Sequence, residues 1–142
     1  MKLKIKMTQE EKQLLLIDIC GRLPYSTKVF YEYVDDLDKK TYGYSLTLNT
    51  WCINELIAEK AIVKPYLRSM SSMTEEESIE WFNYHHEIEL EEVKSSGNYL
   101  KAATLGEAAS IDWLNKNHFD YRGLIPMGLA IEVNENNNPY KD

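Results

Sequence analysis

The chain has 142 residues, of which 44% are hydrophobic and 27% charged, with a formal net charge of -7 at pH 7. This is the length of one ordinary domain with a globular composition, which argues against disorder, collagen-like repeats and coiled coils. The negative charge argues against indiscriminate binding to phosphate backbones. The first apolar stretch follows TQEEK and contains Asp18, unlike a secretory signal, and no run reaches the roughly 18 apolar residues that span a bilayer. We therefore expect a cytoplasmic protein without membrane contact.

The first predicted element is a helix in MTQEEKQLLLIDICGRLPY. Thr8 is a candidate N-cap, Glu11 completes a capping box three residues later, and the glycine and proline of CGRLP end the helix. The chain's two cysteines, Cys20 and Cys52, have no metal-like or redox-like spacing. We interpret both as reduced thiols in the core.

The next segment predicts a β-hairpin. TKVFYEYV is rich in β-branched and aromatic residues, DDLDKK is typical of a turn, and TYGYSLTL alternates. The alternation places Tyr42, Tyr44, Leu46 and Leu48 on one face, which we expect to be buried. Cross-strand packing explains the aromatic residues better than a base-stacking platform does.

Residues 51–63 permit two interpretations. WCI can extend the sheet, whereas NELIAEK can form a short helix capped by Asn54. The β-branched pair that follows can return as a strand before Pro65, because the residue before a proline favours extended geometry. KPYLRSMSSM, residues 64–73, is interpreted as a connector.

Two further helices are predicted after the connector. Thr74 and Glu77 indicate a second capping box, and the helix that they open either continues or gives way to a strand at HEIELEEV, where apolar residues and glutamates alternate. After the loop SSGNY, Thr104 and Glu107 indicate a third capping box. Asn117 is the predicted left-handed C-cap of that helix.

The segment NKNHFDYRGLIPMGLA crowds His118, Asp120, Tyr121 and Arg122 into five positions. We interpret it as a structural corner in which Asp120 caps a short turn and His118 packs or caps. Arg122 is expected to bind a nearby aspartate or exposed carbonyls at a helix end. LAIEV then returns as a closing strand, and residues 135–142 have the composition of a flexible tail.

The order helix, strands, helices, strand predicts an α+β fold. We expect a small, mostly antiparallel sheet packed with the N-terminal helix and two further helices, and the pattern leaves open whether the sheet closes into a barrel. A single domain over residues 1–142 is the simplest organisation. The alternative is a subdivision into a β-rich half, 1–68, and a helical half, 74–134.

Motifs for catalysis are missing from the sequence. It has no Gly-x-Ser-x-Gly elbow, no phosphate-binding glycine loop and no His-Glu-x-x-His. The candidate metal ligands are His85 and Glu89, which share a helix face, together with His86, but no third ligand on that face is fixed. Surface or interface histidines are the simpler interpretation, and we assign no catalytic residue, cofactor or metal.

Charge is distributed unevenly along the chain. Residues 74–92, TEEESIEWFNYHHEIELEE, hold eight glutamates and no lysine or arginine. Such a run is either a solvated helix face or a docking surface for a basic protein. Aromatic anchors and charges dominate interface energies, so the candidate interaction residues are Glu77, Glu80, Trp81, Phe82 and Tyr84. If Trp81 and Phe82 were both inside the protein, this surface would lose its anchors.

Binding to nucleic acid is the alternative function. The candidate basic residues are Lys2, Lys4, Lys6, Lys12, Lys28, Lys64 and Arg68, with the hairpin tyrosines beside them. A chain this acidic would have to gather its basic charge on one side to bind nucleic acid. A small hydrolase or a metal-binding protein is the third interpretation.

Three stretches also carry a resemblance: MTQEEKQLLLIDICGRLPY, VKPYLRSMSSMTEEE and IDWLNKNHFDYRGLIPMGLAIEV. They resemble a group of short proteins encoded by gut anaerobes and by their phages and prophages, over about half of the chain. Ser69 and Asn117 depart from the group's pattern, which has proline and histidine there, and the second departure weakens a paired-histidine metal site. The group has no assigned reaction, cofactor or catalytic residue, so the resemblance carries none over to this chain. Because catalytic motifs are missing as well, we expect a non-enzymatic phage or mobile-element accessory protein that acts through protein contact.

Overall fold

The computed structural model describes residues 7–141. Within this range the helices are α1 (Gln9–Arg22), α2 (Thr50–Ile57), α3 (Glu75–Ser96) and α4 (Tyr99–Lys116). The strands are β1 (Lys28–Val34), β2 (Thr41–Thr47), β3 (Ile62–Ser69), β4 (Phe119–Asp120) and β5 (Ile131–Glu132). The predicted α+β fold is confirmed. None of the helices in this range combines the length and apolar character that crossing a bilayer requires.

The sheet is mixed and open. Its strand order is β2-β1-β3-β4, and β5 also pairs with β3. The three long strands are antiparallel, whereas the two-residue strands β4 and β5 run parallel to β3. The sheet does not close, so the barrel-like alternative is wrong.

Helix α1 begins with the predicted capping box. The Thr8 hydroxyl accepts the Glu11 N–H at 3.1 Å, and the Glu11 carboxylate accepts the Thr8 N–H at 2.8 Å. Leu15 and Ile19, four residues apart, share the buried face that packs in the main core. Cys20 is one position further round the helix and is exposed, so its predicted place in the core is wrong, whereas Cys52 is buried as expected.

In residues 51–63 the predicted extension of the sheet through WCI is wrong, because these three residues are helical, whereas the β-branched pair Ile62 and Val63 does begin a strand. The segment begins in helix α2, whose cap is Asn49 rather than Asn54, because the Asn49 side chain accepts the Cys52 N–H at 2.9 Å. Strand β3 then runs through Pro65, so the first half of the predicted connector is wrong. Proline is tolerated because β4 and β5 pair with β3 only from Tyr66 onward.

The predicted hairpin is present, with aromatic packing between its strands. Tyr31 lies opposite Tyr44 and Tyr33 opposite Tyr42, with ring centroids 5.5 and 6.0 Å apart. The expectation that this whole face is buried is wrong, since Tyr42 and Tyr44 are 42% and 44% exposed. Strand β2 is the sheet edge, and Trp51 of α2 stacks on Tyr31, at 4.8 Å, rather than covering the edge.

The capping box at Thr74 and Glu77 is confirmed, and α3 continues as one helix to Ser96. The third predicted box is wrong. Asn98 caps α4 by accepting the Lys101 N–H, and Thr104 lies inside that helix.

The end of α4 also differs from the prediction. Asn117 is its C-cap, but with φ of -99° it is not left-handed. The left-handed residue is His118, with φ of 63°.

The C-terminal segment contacts the sheet through Tyr140. Its hydroxyl donates to the Tyr66 carbonyl at 2.7 Å and accepts the Lys28 N–H at 2.9 Å. Its ring stacks on His118 at 3.7 Å. The flexibility expected of residues 135–142 stays a prediction, and Asp142 lies outside the described residues.

Candidate interaction surface

Helices α3 and α4 form a hairpin whose two members are buried to very different degrees. In the part of the chain that the structure describes, α3 has no buried residue, whereas α4 buries six. On α4, Ala102, Gly106 and Ala109 recur at helical spacing and are buried. The side chain of Glu89 packs directly over Gly106, in the space that an added Cβ would occupy. Small residues on α4 thus let the helices approach closely without enclosing the side chains of α3.

One face of α3 carries an exposed row of three apolar side chains and one histidine, which we call the hairpin stripe: Ile79, Phe82, His86 and Leu90. Ile79 and Phe82 are 54% and 56% exposed, and Leu90 is also exposed. The spacings of three, four and four residues place these side chains in a row along the helix. His86 stacks on Phe82 with ring centroids 5.3 Å apart. Two further exposed apolar side chains, Leu100 and Ile111, lie on α4.

Carboxylates border the hairpin stripe on both sides. At 100° per residue, Glu76 and Glu87 of α3 lie beside the stripe on the side away from α4. On the other side, Glu89 and Glu107 line a shallow groove of about 400 Å³ between the helices. The stripe is therefore apolar along its centre and anionic at its edges.

The two predicted aromatic anchors lie on different faces of α3. The indole N–H of Trp81 donates to the Ser110 hydroxyl at 2.9 Å, and its ring packs 6.5 Å from that of Trp113. Trp81 therefore joins α3 to α4, while Phe82, the next residue round the helix, is exposed. Because only one of the two is engaged inside the hairpin, the surface keeps an anchor.

Glu77, another predicted interaction residue, holds α3 to the sheet. Its carboxylate accepts two hydrogen bonds from the Arg68 guanidinium, at 2.7 and 2.8 Å. These bonds, helped by the capping contact with Thr74, lower the pKa of Glu77 to about 2. The two groups satisfy each other, which makes Glu77 a positioning residue for the hairpin.

Glu80 and Tyr84 line a cleft of about 610 Å³ between the α3–α4 hairpin and the body of the protein, which consists of α1, α2 and the sheet. The Trp113 indole N–H donates to the Glu80 carboxylate at 3.3 Å, and the Tyr25 hydroxyl donates to Asp112 at 3.0 Å. Burial and the Asp112 carboxylate raise the pKa of Tyr25. Glu80 and Asp112 are thus engaged within this cleft, which Lys116 also lines.

The candidate metal ligands have other partners. His85 Nδ1 lies 2.7 Å from the Trp81 carbonyl, His86 stacks on Phe82, and Glu89 covers Gly106. Within residues 7–141, no group of three or more histidine, cysteine, aspartate or glutamate side chains is placed to hold a metal ion.

The basic residues considered for nucleic-acid binding are dispersed. Lys12 pairs with Glu59 at 3.1 Å and Arg68 with Glu77. By the strand register, Lys28 and Lys64 lie on one face of the sheet, and the tyrosines of the β1–β2 hairpin lie on the other face. Lys2, Lys4 and Lys6 lie outside the described residues.

The corner around residues 118–122 is tied to α1. Fully buried Asp18 accepts hydrogen bonds from Arg22, at 2.7 and 3.1 Å, and from Arg122 at 3.0 Å. Asp120 caps the turn as expected, by accepting the N–H groups of Leu124 and Ile125 at 2.9 Å. The predicted local partner of Arg122 is therefore wrong, because its carboxylate comes from 104 residues earlier.

The side chains of His118 and Tyr121 are also engaged at this corner. Tyr121 donates to the Asn115 side chain at 2.8 Å, and the Arg122 guanidinium lies 4.8 Å above the Tyr121 ring. His118 stacks on Tyr140. Sequence reasoning missed the Asp18–Arg22 pair, although two charges at i,i+4 spacing inside an apolar helix are a usable signal.

Comparisons of the chain with protein-family models, with curated proteins and with solved structures found no match.

Proposed function

We propose that the protein is a non-enzymatic binding protein that holds a basic amphipathic helix of another protein against the hairpin stripe. The observation that supports this most is the exposure of α3: a 22-residue helix without a buried residue presents a row of apolar side chains away from its own core. Exposed apolar patches with polar borders mark interaction surfaces in soluble proteins. A cytoplasmic accessory role in a phage or mobile element belongs to the same proposal.

Helical spacing of the stripe favours a helical partner. From Ile79 to Leu90 the row is about 16 Å long at 1.5 Å per residue, which matches three turns of a partner helix. Recognition of this kind uses apolar anchors at i, i+3, i+4 and i+7 that pack into a complementary row. Phe82, at the middle of the row and stacked on His86, is the expected anchor.

Charge favours a basic partner over a second copy of this chain. Residues 74–92 carry eight glutamates and no cation, and Glu76, Glu87, Glu89 and Glu107 border the stripe. Pairing two copies through the stripe would bring carboxylates together, which like-charge repulsion disfavours. Lysine or arginine at the edges of a partner helix would instead pair with them.

The test uses two synthetic helical peptides with the same leucine face, one bordered by lysine and the other by glutamate, and measures binding by fluorescence anisotropy. We expect the lysine peptide to bind, Phe82→Glu to weaken it at least tenfold, and the glutamate peptide not to bind. Leu37→Glu is the matched control, because Leu37 is 95% exposed in the β1–β2 turn. The proposal would be overturned if the lysine peptide did not bind, or if it bound the Phe82→Glu and Leu37→Glu variants equally.

A further inference from the structure

A second cavity, far from the hairpin stripe, lies where the end of α4 meets β3 and the C-terminal segment. Its volume is about 510 Å³, within the range of small-molecule sites in proteins. Residues from three separate parts of the chain line it, including Arg68, Lys116 and Lys141.

The rim of this cavity is cationic although the chain is acidic overall. Among residues 7–141, no carboxylate lies within ion-pair distance of Lys116 or Lys141, and Arg68 is already paired with Glu77. Glu135 is the acidic residue in the lining. Lys116 and Lys141 thus both line this cavity in a chain of net charge -7, and Lys116 also borders the cleft that Glu80 lines. Like charges gathered in this way attract an anion.

Neutral donors supplement the lysines. The side-chain oxygen of Asn134 accepts the Asn136 N–H at 2.9 Å, and that of Asn138 accepts the Tyr140 N–H at 3.0 Å. These bonds occupy the amide oxygens and leave the NH2 groups of both asparagines as donors. Ammonium and amide donors together suit an anion with several acceptor oxygens.

The floor of the cavity is the stacked pair of His118 and Tyr140, whose ring centroids are 3.7 Å apart. His118 adopts a left-handed backbone conformation with φ of 63°, which is rare for a residue other than glycine. Burial, together with the positive charges of Arg22 and Arg68, lowers the pKa of His118 to about 4. The imidazole is therefore neutral at pH 7 and lies in a positive potential.

We propose that this cavity binds a phosphoryl group, with Lys116 and Lys141 as its charged contacts and Asn134 and Asn138 as neutral donors. A phosphate monoester carries close to two negative charges at pH 7 and three terminal oxygens, which matches two ammoniums and two amides. A small phosphorylated molecule fits this open cavity of about 510 Å³, and the terminal phosphate of an oligonucleotide offers the same chemistry.

The test is an NMR titration at pH 7.5 with inorganic phosphate, at an ionic strength held constant with chloride. We expect saturable shifts in the signals of residues 134–141 and His118. An anion beside the imidazole favours its charged form, so saturating phosphate should also raise the pKa of His118. The double variant Lys116→Glu, Lys141→Glu should weaken binding at least tenfold, since it reverses both charges. A parallel titration with a 5′-phosphorylated single-stranded dodecanucleotide distinguishes the two sources of the phosphoryl group. If the oligonucleotide binds much more tightly than phosphate, the natural ligand is a nucleic acid. If the two bind equally, it is a small phosphorylated molecule.

The matched control is Lys40→Glu, Lys94→Glu, which makes the same change in net charge at exposed positions away from the cavity. It should leave the affinity within twofold of the original. All four lysines are exposed, so both double variants are expected to fold, and thermal melting checks this. An absence of saturable shifts with both probes, or an equal loss of affinity in the control, would overturn the proposal.

Discussion

The body of the protein and the α3–α4 hairpin differ in how far they bury their apolar side chains. In the body, α1, α2 and the sheet enclose one cluster of fully buried residues, among them Leu15, Ile19 and Leu67, with a buried ion cluster at its border. In the hairpin, α3 buries no residue and exposes Ile79, Phe82 and Leu90 along a row bordered by glutamates. The body's sequence serves stability, whereas an apolar row without a partner contributes little to folding. The difference identifies α3 as the element that is available to another molecule.

The largest predicted effect is in the body. Asp18→Ala would leave Arg22, which is fully buried, and Arg122 without their shared carboxylate. Removing one partner of a buried ion pair costs about 3–5 kcal/mol, so urea unfolding should show a loss of this size. Asp112→Ala is the control, because Asp112 is exposed and the variant should lose less than about 1 kcal/mol. Equal losses of unfolding free energy in the two variants would contradict a special stabilising role for the buried cluster of Asp18, Arg22 and Arg122.

Two leucines, one in the body and one in the α3–α4 hairpin, test directly how the two regions differ. Leu67 is fully buried in β3, so Leu67→Ala should lower the free energy of unfolding by about 2–5 kcal/mol through lost burial and a cavity. Leu90 is exposed in the hairpin stripe, so Leu90→Ala should change it by less than about 0.5 kcal/mol. Chemical denaturation measures both. If Leu90→Ala costs as much as Leu67→Ala, α3 is not a free surface.

Arg122→Ala tests the corner at an intermediate level. Arg122 supplies one of three hydrogen bonds to Asp18, and Arg22 retains the other two. Losing one charged hydrogen bond should cost about 1–2 kcal/mol, measured as a lower melting temperature. Binding of the lysine peptide should not change. Unchanged stability with lost binding would instead make Arg122 part of an interaction site.

The smallest effect concerns pH and the contact between the two regions. Because the pKa of Glu77 is lowered to about 2 from the usual 4.5, its ionised form stabilises the folded state. This contribution is fully present above pH 4.5 and is lost as pH falls through about 2. For a partly exposed pair it amounts to about 1 kcal/mol or less. The difference in melting temperature between the original chain and Glu77→Gln should therefore shrink between pH 5 and pH 2, and a constant difference would contradict this explanation.

Local signals predicted the features that local contacts decide. The capping boxes at Thr8 and Thr74 were predicted from a threonine and a glutamate three residues apart, and both form. The same spacing at Thr104 was misleading because it lies within a helix that Asn98 had already started, and a motif of four residues does not reveal where its helix begins. The error shows that a capping motif needs support from the apolar pattern before it.

Long-range contacts decided what the sequence did not predict. Residues 64–69 of β3 were interpreted as part of a connector. The place of this strand beside β1 depends on pairing with Val29, far away in the chain. The partner of Arg122 comes from α1, which no local pattern indicates. For the interaction surface, the acidic run and Phe82 were identified, but the roles of Trp81 and Glu77 depend on α4 and β3.

Hydrogen exchange with and without the lysine-bordered peptide tests the central claim most directly. If the hairpin stripe is the binding surface, amide protection should increase in residues 79–93 of α3 and 100–111 of α4, while β1, β2 and β3 stay unchanged. Protection that appears in the sheet and not in α3, or no change anywhere at a saturating peptide concentration, would contradict the assignment of the hairpin as the binding element.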